Sequence, residues 1–183
     1  MRLIKLLILV ALEFTFTNSA YADQLQGRII EVFDGDTVTL LSENMRVKIQ
    51  LTGIDAPEMK QDFGVQSKQA LSDCALDKTV VIDDYNKHKS GWSTGKVAVE
   101  GGDCNLRQLR NGMAWHDTQH SEDQSQVDQQ LYANTETMAR SNRIGLWSQS
   151  NPVAPWDFVH QVNVKKTQDA FSKQWLNRNR QFR

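Results

Sequence analysis

From Leu25 to Ile54 apolar and polar positions alternate in short runs broken by turn residues. "LQGRIIEV" (25–32), "TVTLL" (37–41) and "RVKIQLTGI" (46–54) each read as a strand, with "FDGD" and "SENM" as the turns between them. In the third run Val47, Ile49 and Leu51 face one way and Arg46, Lys48 and Gln50 the other, as a strand with one face in a core requires. Such short connections imply an antiparallel meander. "KTVVID" (78–83) and "GKVAVEGG" (95–102) supply a fourth and a fifth strand, separated by an irregular basic loop at 85–94. Elsewhere the period changes. Val65, Ala70, Leu71, Cys74 and Ala75 predict a helix over 64–76; Leu106 and Leu109 mark a short helix over 105–111, with Asp103 as N-cap and Gly112 at its stop. Val127, Leu131, Thr135, Met138 and Ala139 mark a longer one over 124–142, ending before Gly145. The expected fold is mainly β, of the α+β kind: a five-stranded antiparallel closed barrel, like an OB-fold, with three packed helices. Closure removes the exposed sheet edges that five short strands would otherwise leave.

The ends of the chain read differently. Arg2 and Lys5, the apolar run "LLILVAL" and the small residues "SAYAD" have the order of a secretory signal peptide, cut between Ala22 and Asp23. Glu13 and the shortness of the run argue against an uncleaved anchor, and no later segment is apolar enough to cross a membrane. The reading is therefore an exported protein, periplasmic or secreted, with no stable membrane span after cleavage. Residues 23–160 form one domain's length. "NPVAPWDF" (151–158) is expected to be a strap over the surface, since its two prolines break a helix. Residues 161–183 are a basic tail: from Lys165 onward there are six basic residues and one acid, with Phe171 and Trp175 four apart on a helical pattern. Nucleic-acid arm, anionic-membrane contact and solvated tail all fit that composition.

The whole chain carries 21 basic and 22 acidic residues. Such a balance gives no global attraction to a polyanion, so any nucleic-acid binding must come from local patches or a metal. The two cysteines, Cys74 and Cys104, lie in the exported part. An oxidising compartment favours a Cys74–Cys104 disulfide; two separate buried thiols are the alternative. Neither has a CxxC partner or a histidine at zinc-ligand spacing, which disfavours redox catalysis and a structural zinc site.

Candidate chemistry begins with carboxylates. Asp34 and Asp36 flank Gly35 in "VFDGDTVTL", and Asp-Gly by itself suits a hairpin turn. Asp55 sits at a strand end, followed by Ala56, Pro57 and Glu58. A barrel would bring Asp36 near Asp55, and carboxylates that converge from a turn and a strand end form the oxygen-rich site that Ca²⁺ or Mg²⁺ takes. Histidines 88, 116, 120 and 160 show no partner spacing, and Trp115 is expected to pack against the barrel.

The series "VFDGDTVTLL", "LTGIDAPE", "NLRQLRNGMAW", "RIGLW" and "PVAPWDF" resembles the staphylococcal nuclease, or thermonuclease, family over nearly all of 25–158. That resemblance implies an OB-fold-like barrel with three helices and cleavage of DNA and RNA phosphodiesters with one Ca²⁺. It makes Asp36 and Asp55 calcium ligands, with the backbone carbonyl of Ala56 in the same shell, Ca²⁺ being favoured over Mg²⁺. Glu58 becomes the group that activates or orders water. Two arginines of the family grip the phosphate; here the first position is Gln50, and alignment on Gly95, Lys96 and Val97 puts Trp92 at the second, with Gly91 and Ser90 before it. A bidentate guanidinium follows the charge that grows on phosphate oxygens; an amide and an indole N–H do so far less well. Lys48 shares the face of Gln50, and Lys89 lies beside Trp92, so both are candidate substitutes, Lys89 and Trp92 also as nucleic-acid contacts. Trp92 reads either as a base-stacking platform or as a plug over the phosphate pocket. The functional expectation is a divergent, weakened Ca²⁺-dependent endonuclease on single-stranded DNA or RNA, most simply a monomer. The alternatives are an inactive nuclease-like module that binds nucleic acid or a protein partner, and a structural exported domain.

Overall fold

Ile29, Val38, Leu40, Ile49, Ile82 and Val97 have no exposed surface, and they come from all five of the predicted strands. A computed structural model describes residues 24–89 and 92–180, with the side chains of 174–180 excepted. The signal-peptide reading of 1–22, the positions Ser90 and Gly91, and the side chain of Trp175 lie outside the described residues. Strands β1 (Leu25–Val32), β2 (Thr37–Ser42) and β3 (Met45–Leu51) form the meander, followed by a two-residue strand β4 (Ile54–Asp55). After helix α1 (Gly64–Ala75) come β5 (Thr79–Lys87), β6 (Ser93–Val99) and the short β7 (Gly102–Asp103). Helix α2 (Cys104–Arg110), a second two-residue strand β8 (Trp115–His116), α3 (Gln126–Ser141) and α4 (Pro155–Arg180) complete the chain.

The main sheet runs β3-β2-β1-β5-β6-β7 and closes by pairing β3 with β6. That closing pair is parallel, matching Ile49, Gln50 and Leu51 to Ser93, Thr94 and Gly95. The barrel is therefore mixed, which corrects the expectation of a purely antiparallel one. Parity is the reason. Four antiparallel steps from β3 to β6 return the direction to that of β3, so an odd ring of five strands must close on a parallel pair. The basic loop at 85–94 is also shorter than its composition suggests: β5 continues to Lys87 past an irregularity between Asp83 and Asn86, and β6 starts at Ser93.

There are four α-helices among the described residues, against three expected. The addition is α4, which begins in the supposed strap. Pro155 occupies the first position of α4, where a missing N–H removes no helical hydrogen bond and the fixed φ favours helix entry. The strap shrinks to the residues just before it, and α4 runs without a break through residue 160. Its root is held to the body: Ala154 and Pro155 are buried, Gln61 Nε2 donates to the Val153 carbonyl at 2.6 Å, and the Trp156 ring meets Trp115 edge-on at 5.6 Å. Among the described residues no helix is long and apolar enough to cross a membrane.

Cys74 on α1 and Cys104 at the start of α2 form a disulfide, with Cα atoms 6.0 Å apart, and no cysteine is free. Asp103 caps α2 as its position suggests, its carboxylate accepting from the Leu106 N–H. These two helices lie against the end of the barrel where the candidate carboxylates emerge, so their attachment bears on the site.

Candidate functional site

The turn between β1 and β2 is clamped from three sides. Gly35 has no room for a side chain: a Cβ there would stand 1.8 Å from Ser67 Oγ of α1 and 2.7 Å from the Ala56 Cβ. Gln108 of α2, 1 % exposed, donates from Nε2 to the Gly35 carbonyl at 2.7 Å and to the Ser67 carbonyl at 3.0 Å. Asp36 is thereby driven inward and is 7 % exposed. Its Oδ1 accepts from the Thr37 hydroxyl and its Oδ2 from the Ala56 N–H, both at 2.8 Å. The second bond joins the "DGD" turn to the "IDAPE" segment, twenty residues away in sequence.

Asp55 arrives by a different route. The chain leaves β3 through Thr52 and Gly53, supported by Asn105, which has no exposed surface. Asn105 Nδ2 donates to the Thr52 carbonyl at 2.9 Å, while its Oδ1 accepts the Val97 N–H at 3.0 Å. β4 then pairs with β8, setting Asp55 opposite Trp115. Asp36, Asp55 and Ala56 line one cleft of about 270 Å³, together with Glu58, Lys48, Gln50 and Trp92. Asp34 lines it as well. Lys89 does not; it lies in the hairpin loop between β5 and β6. The sheet explains the gathering, because Lys48 and Gln50 project from the solvent side of β3 and the parallel pairing brings the start of β6 alongside.

The cleft gathers carboxylates, and on Asp55 the opposing charge of His120 is outweighed. Burial, and then the neighbouring Asp34, raise the Asp36 carboxyl well above the usual aspartate range, against the pull of its two hydrogen bonds. Burial pushes Asp55 up to about 7, with Asp117 and Glu58 adding repulsion. Lys48, which also lines the cleft, has its Nζ 4.7 Å from the centre of the Phe33 ring. Trp92 is 40 % exposed and its ring is braced face to face by His88, centroids 4.3 Å apart and planes 12° off parallel. His88 is in turn fixed by a 3.0 Å hydrogen bond between Nε2 and Thr94 Oγ1.

Several neighbours of the site were not visible as such in the sequence. Asp117 follows β8, its N–H donating to the Gly53 carbonyl at 3.0 Å, and it is the strongest charged influence on Asp55. His120 pairs with it, Nδ1 to Oδ2 at 2.7 Å, and its pKa is raised by that carboxylate. The signal for this side was the "WHD" run, but a two-residue strand leaves no period to read. Trp115 stacks edge-on against Trp147 at 4.5 Å, in the cluster formed with α3 and α4, rather than on the barrel.

As to a metal, among the described residues no three His, Cys, Asp or Glu side chains are gathered so as to hold an ion by themselves. The available protein set is two carboxylates, Asp36 and Asp55. Both are oxygen donors of the hard kind, and both are penalised for charge that a cation would relieve, so the donor chemistry fits a divalent cation completed by water or carbonyl oxygen.

The sequence profile of the family described as "Staphylococcal nuclease homologue" matches residues 48–149, more than half of the chain. The chain belongs to this family. An "uncharacterized endonuclease" of Haemophilus influenzae is 32% identical over 162 residues, covering 87% of this chain and 88% of the relative. One of the same description in Escherichia coli O157:H7 is 32% identical over 80% of this chain and 93% of its own length. A "micrococcal nuclease" of Shigella flexneri is 32% identical over 75% and 81%. As a divergent staphylococcal nuclease homologue, the chain has most of its cleft inside the matched span; Asp34 and Asp36 precede it. The family's closed barrel, packed with helices, is the fold seen here.

Proposed function

We propose that this staphylococcal nuclease homologue is a nuclease-like module that takes single-stranded nucleic acid into the cleft and hydrolyses it slowly or not at all. One observation carries the reading: the carboxylates face a wall made of Gln50 and a braced Trp92, where phosphate recognition calls for fixed positive charge. An exposed indole held flat by His88 suits stacking of a nucleobase, which needs no sequence-specific hydrogen bonds. Gln50 offers a neutral amide donor, and Lys48 a point charge without the guanidinium fork. Asp36 and Asp55 would hold Ca²⁺, which when bound neutralises phosphate charge and polarises the phosphorus centre. The sequence pattern of residues 1–22 and the disulfide support an exported, periplasmic or secreted location, and a monomer is the simplest state.

A second reading, a weakened Ca²⁺-dependent phosphodiesterase, is favoured by Glu58. It is exposed on the rim of the same cleft as both aspartates, in position to take a proton from water or to order it. The relatives described as endonucleases give this reading weight. The test is binding and cleavage of single-stranded DNA and RNA oligonucleotides by the purified protein in Ca²⁺, Mg²⁺ and EDTA. Binding that Trp92→Ala weakens, with turnover barely above background, is the expected result. Brisk Ca²⁺-dependent cleavage establishes the second reading, and no binding to any oligonucleotide leaves a protein-binding or structural exported domain.

A further inference from the structure

Glu58 borders more than the cleft. On the other side of that residue lies a second groove of about 370 Å³, between the 58–60 segment and the first turns of α4. Its floor is apolar, from Met59, Phe158 and Val162, and lysines Lys60 and Lys166 also line it. Glu58 lines both cavities, so the groove adjoins the candidate site. Where Asp55 and Trp92 border the cleft, a smaller cavity has the contrary character: it is lined by Asp55, Asp117 and Asp123, with His120 as its titratable base. A polyanion leaving the cleft meets acidic residues on that side and lysines on this one.

We infer that the groove between Met59 and α4 is a subsite for the nucleotide next to the one held at Trp92, so that α4 is part of the nucleic-acid surface. The inference rests on the proposed function and deepens it by giving the strand a path. The chemistry matches a nucleotide in two ways. The apolar floor accepts the face of a base, for which Phe158 provides an aromatic surface, and the lysines accept the flanking phosphates. The balance of the whole chain, one net negative charge, makes such a local pair of lysines the means by which a strand is held. The root of α4 is held to the body, Val153 by Gln61 and Trp156 by Trp115, just before the turns that carry Phe158 and Val162 into the groove lining.

The experiment compares binding of a fluorescent mononucleotide and of a longer oligothymidine to the full chain, over a range of salt, in the wild type, Lys60→Glu, Lys166→Glu and Lys173→Glu. Lys173 is exposed on α4 and does not line the groove, so it controls for general charge. The expected result is that the longer strand binds more tightly than the mononucleotide in the wild type. Lys60→Glu and Lys166→Glu should each weaken the longer strand about tenfold and lower its salt slope by about one, leaving the mononucleotide and the Lys173→Glu protein little changed. Equal effects of Lys166→Glu and Lys173→Glu, or no advantage of the longer strand, overturn the subsite while mononucleotide binding sensitive to Trp92→Ala keeps the cleft. Failure of the wild type to bind either probe overturns both. Circular dichroism of each variant guards against misfolding, and Phe158→Leu, which keeps the groove apolar but removes the ring, gives a second reading: it should weaken the longer strand alone.

Discussion

Oδ2 of Asp36 accepts the N–H of Ala56 at 2.8 Å, and by that bond the first carboxylate of the site is part of the scaffold as well as of the cleft. The side chain proposed to bind a cation thus also holds the "IDAPE" segment in place. Stability and ligand binding therefore make different demands on one side chain.

Asp36→Asn separates them. An asparagine oxygen can keep the Ala56 N–H while its amide donates to the Thr37 hydroxyl, and the charge penalised by burial and by Asp34 is gone. The variant should be more stable than the wild type at neutral pH without metal, by about 1 kcal/mol or more, yet lose Ca²⁺ binding. Asp36→Ala should be less stable than Asp36→Asn by about 1–3 kcal/mol, since it strands the buried Ala56 N–H. Urea denaturation in EDTA, with calorimetric titration of Ca²⁺, makes both comparisons.

The pH dependence follows from groups whose folded pKa is raised. Asp55 goes from an ordinary 3.8 to about 7, so stability is fully present below the lower value and is lost as pH rises through the upper one. Asp36 and Asp103 are raised too, and so is His120, whose gain from Asp117 disappears as it deprotonates. All four act in the same direction. The metal-free protein should lose on the order of 3 kcal/mol between about pH 4 and pH 8, with Asp55→Asn flattening the curve. Ca²⁺ affinity should rise over the same interval, because its ligands must be ionised. Denaturation midpoints across pH in EDTA and in Ca²⁺ check this.

Restoring charge to the cleft wall tests the reading of Gln50 and Trp92. The double variant Gln50→Arg with Trp92→Arg should raise kcat/KM on a single-stranded substrate by about a hundredfold or more, and Ca²⁺ affinity far less, because guanidinium groups act on charge that develops in the transition state. Each single change should do little, since both grip one phosphate. Lys48→Ala abolishing a brisk wild-type rate would instead assign the positive role to Lys48.

Gln108 is the test of the clamp. Gln108→Leu removes the donor to the Gly35 and Ser67 carbonyls inside a closed site, and should cost about 2–3 kcal/mol. Ca²⁺ binding should weaken with it although Gln108 touches no ligand position. Leu109→Ala, on the same helix and equally buried, should cost stability without that selective loss of Ca²⁺ binding in the fraction that remains folded.

The strands were legible because apolar and polar side chains alternate along them, most plainly in β3, where Ile49 and Leu51 are buried while Lys48 and Gln50 are exposed. Closure was legible in kind but not in sense: no residue of β3 or β6 announces a parallel pair, which follows from the count of strands. The start of α4 was hidden by Pro152 and Pro155 and by its own exposure, since a helix with few packed side chains keeps a weak apolar period; only the Phe171 and Trp175 spacing hinted at its far half. In the site, Asp36, Asp55 and Glu58 stood out as carboxylates at a turn, a strand end and a loop. Asn105 and Gln108 did not, because a polar residue on a short helix reads as solvent-facing unless its buried partner is known. Asp117 and His120 depend on the two-residue pairing of β4 with β8, below the length at which alternation can be seen.

The exposure of Gln50 and Trp92 has a consequence for how such a protein changes over generations. Gly35, Asn105 and Gln108 are locked into the barrel and its helices, so a substitution there is judged first by whether the chain still folds. Gln50 and Trp92 stand at the open edge, and replacing either asks little of the fold. The two halves of the cleft are thus free to diverge at different rates: the frame that positions the carboxylates persists as long as the architecture does, whereas the opposite wall can drift from one chemistry to another, or back, through single substitutions that leave a folded protein at every step.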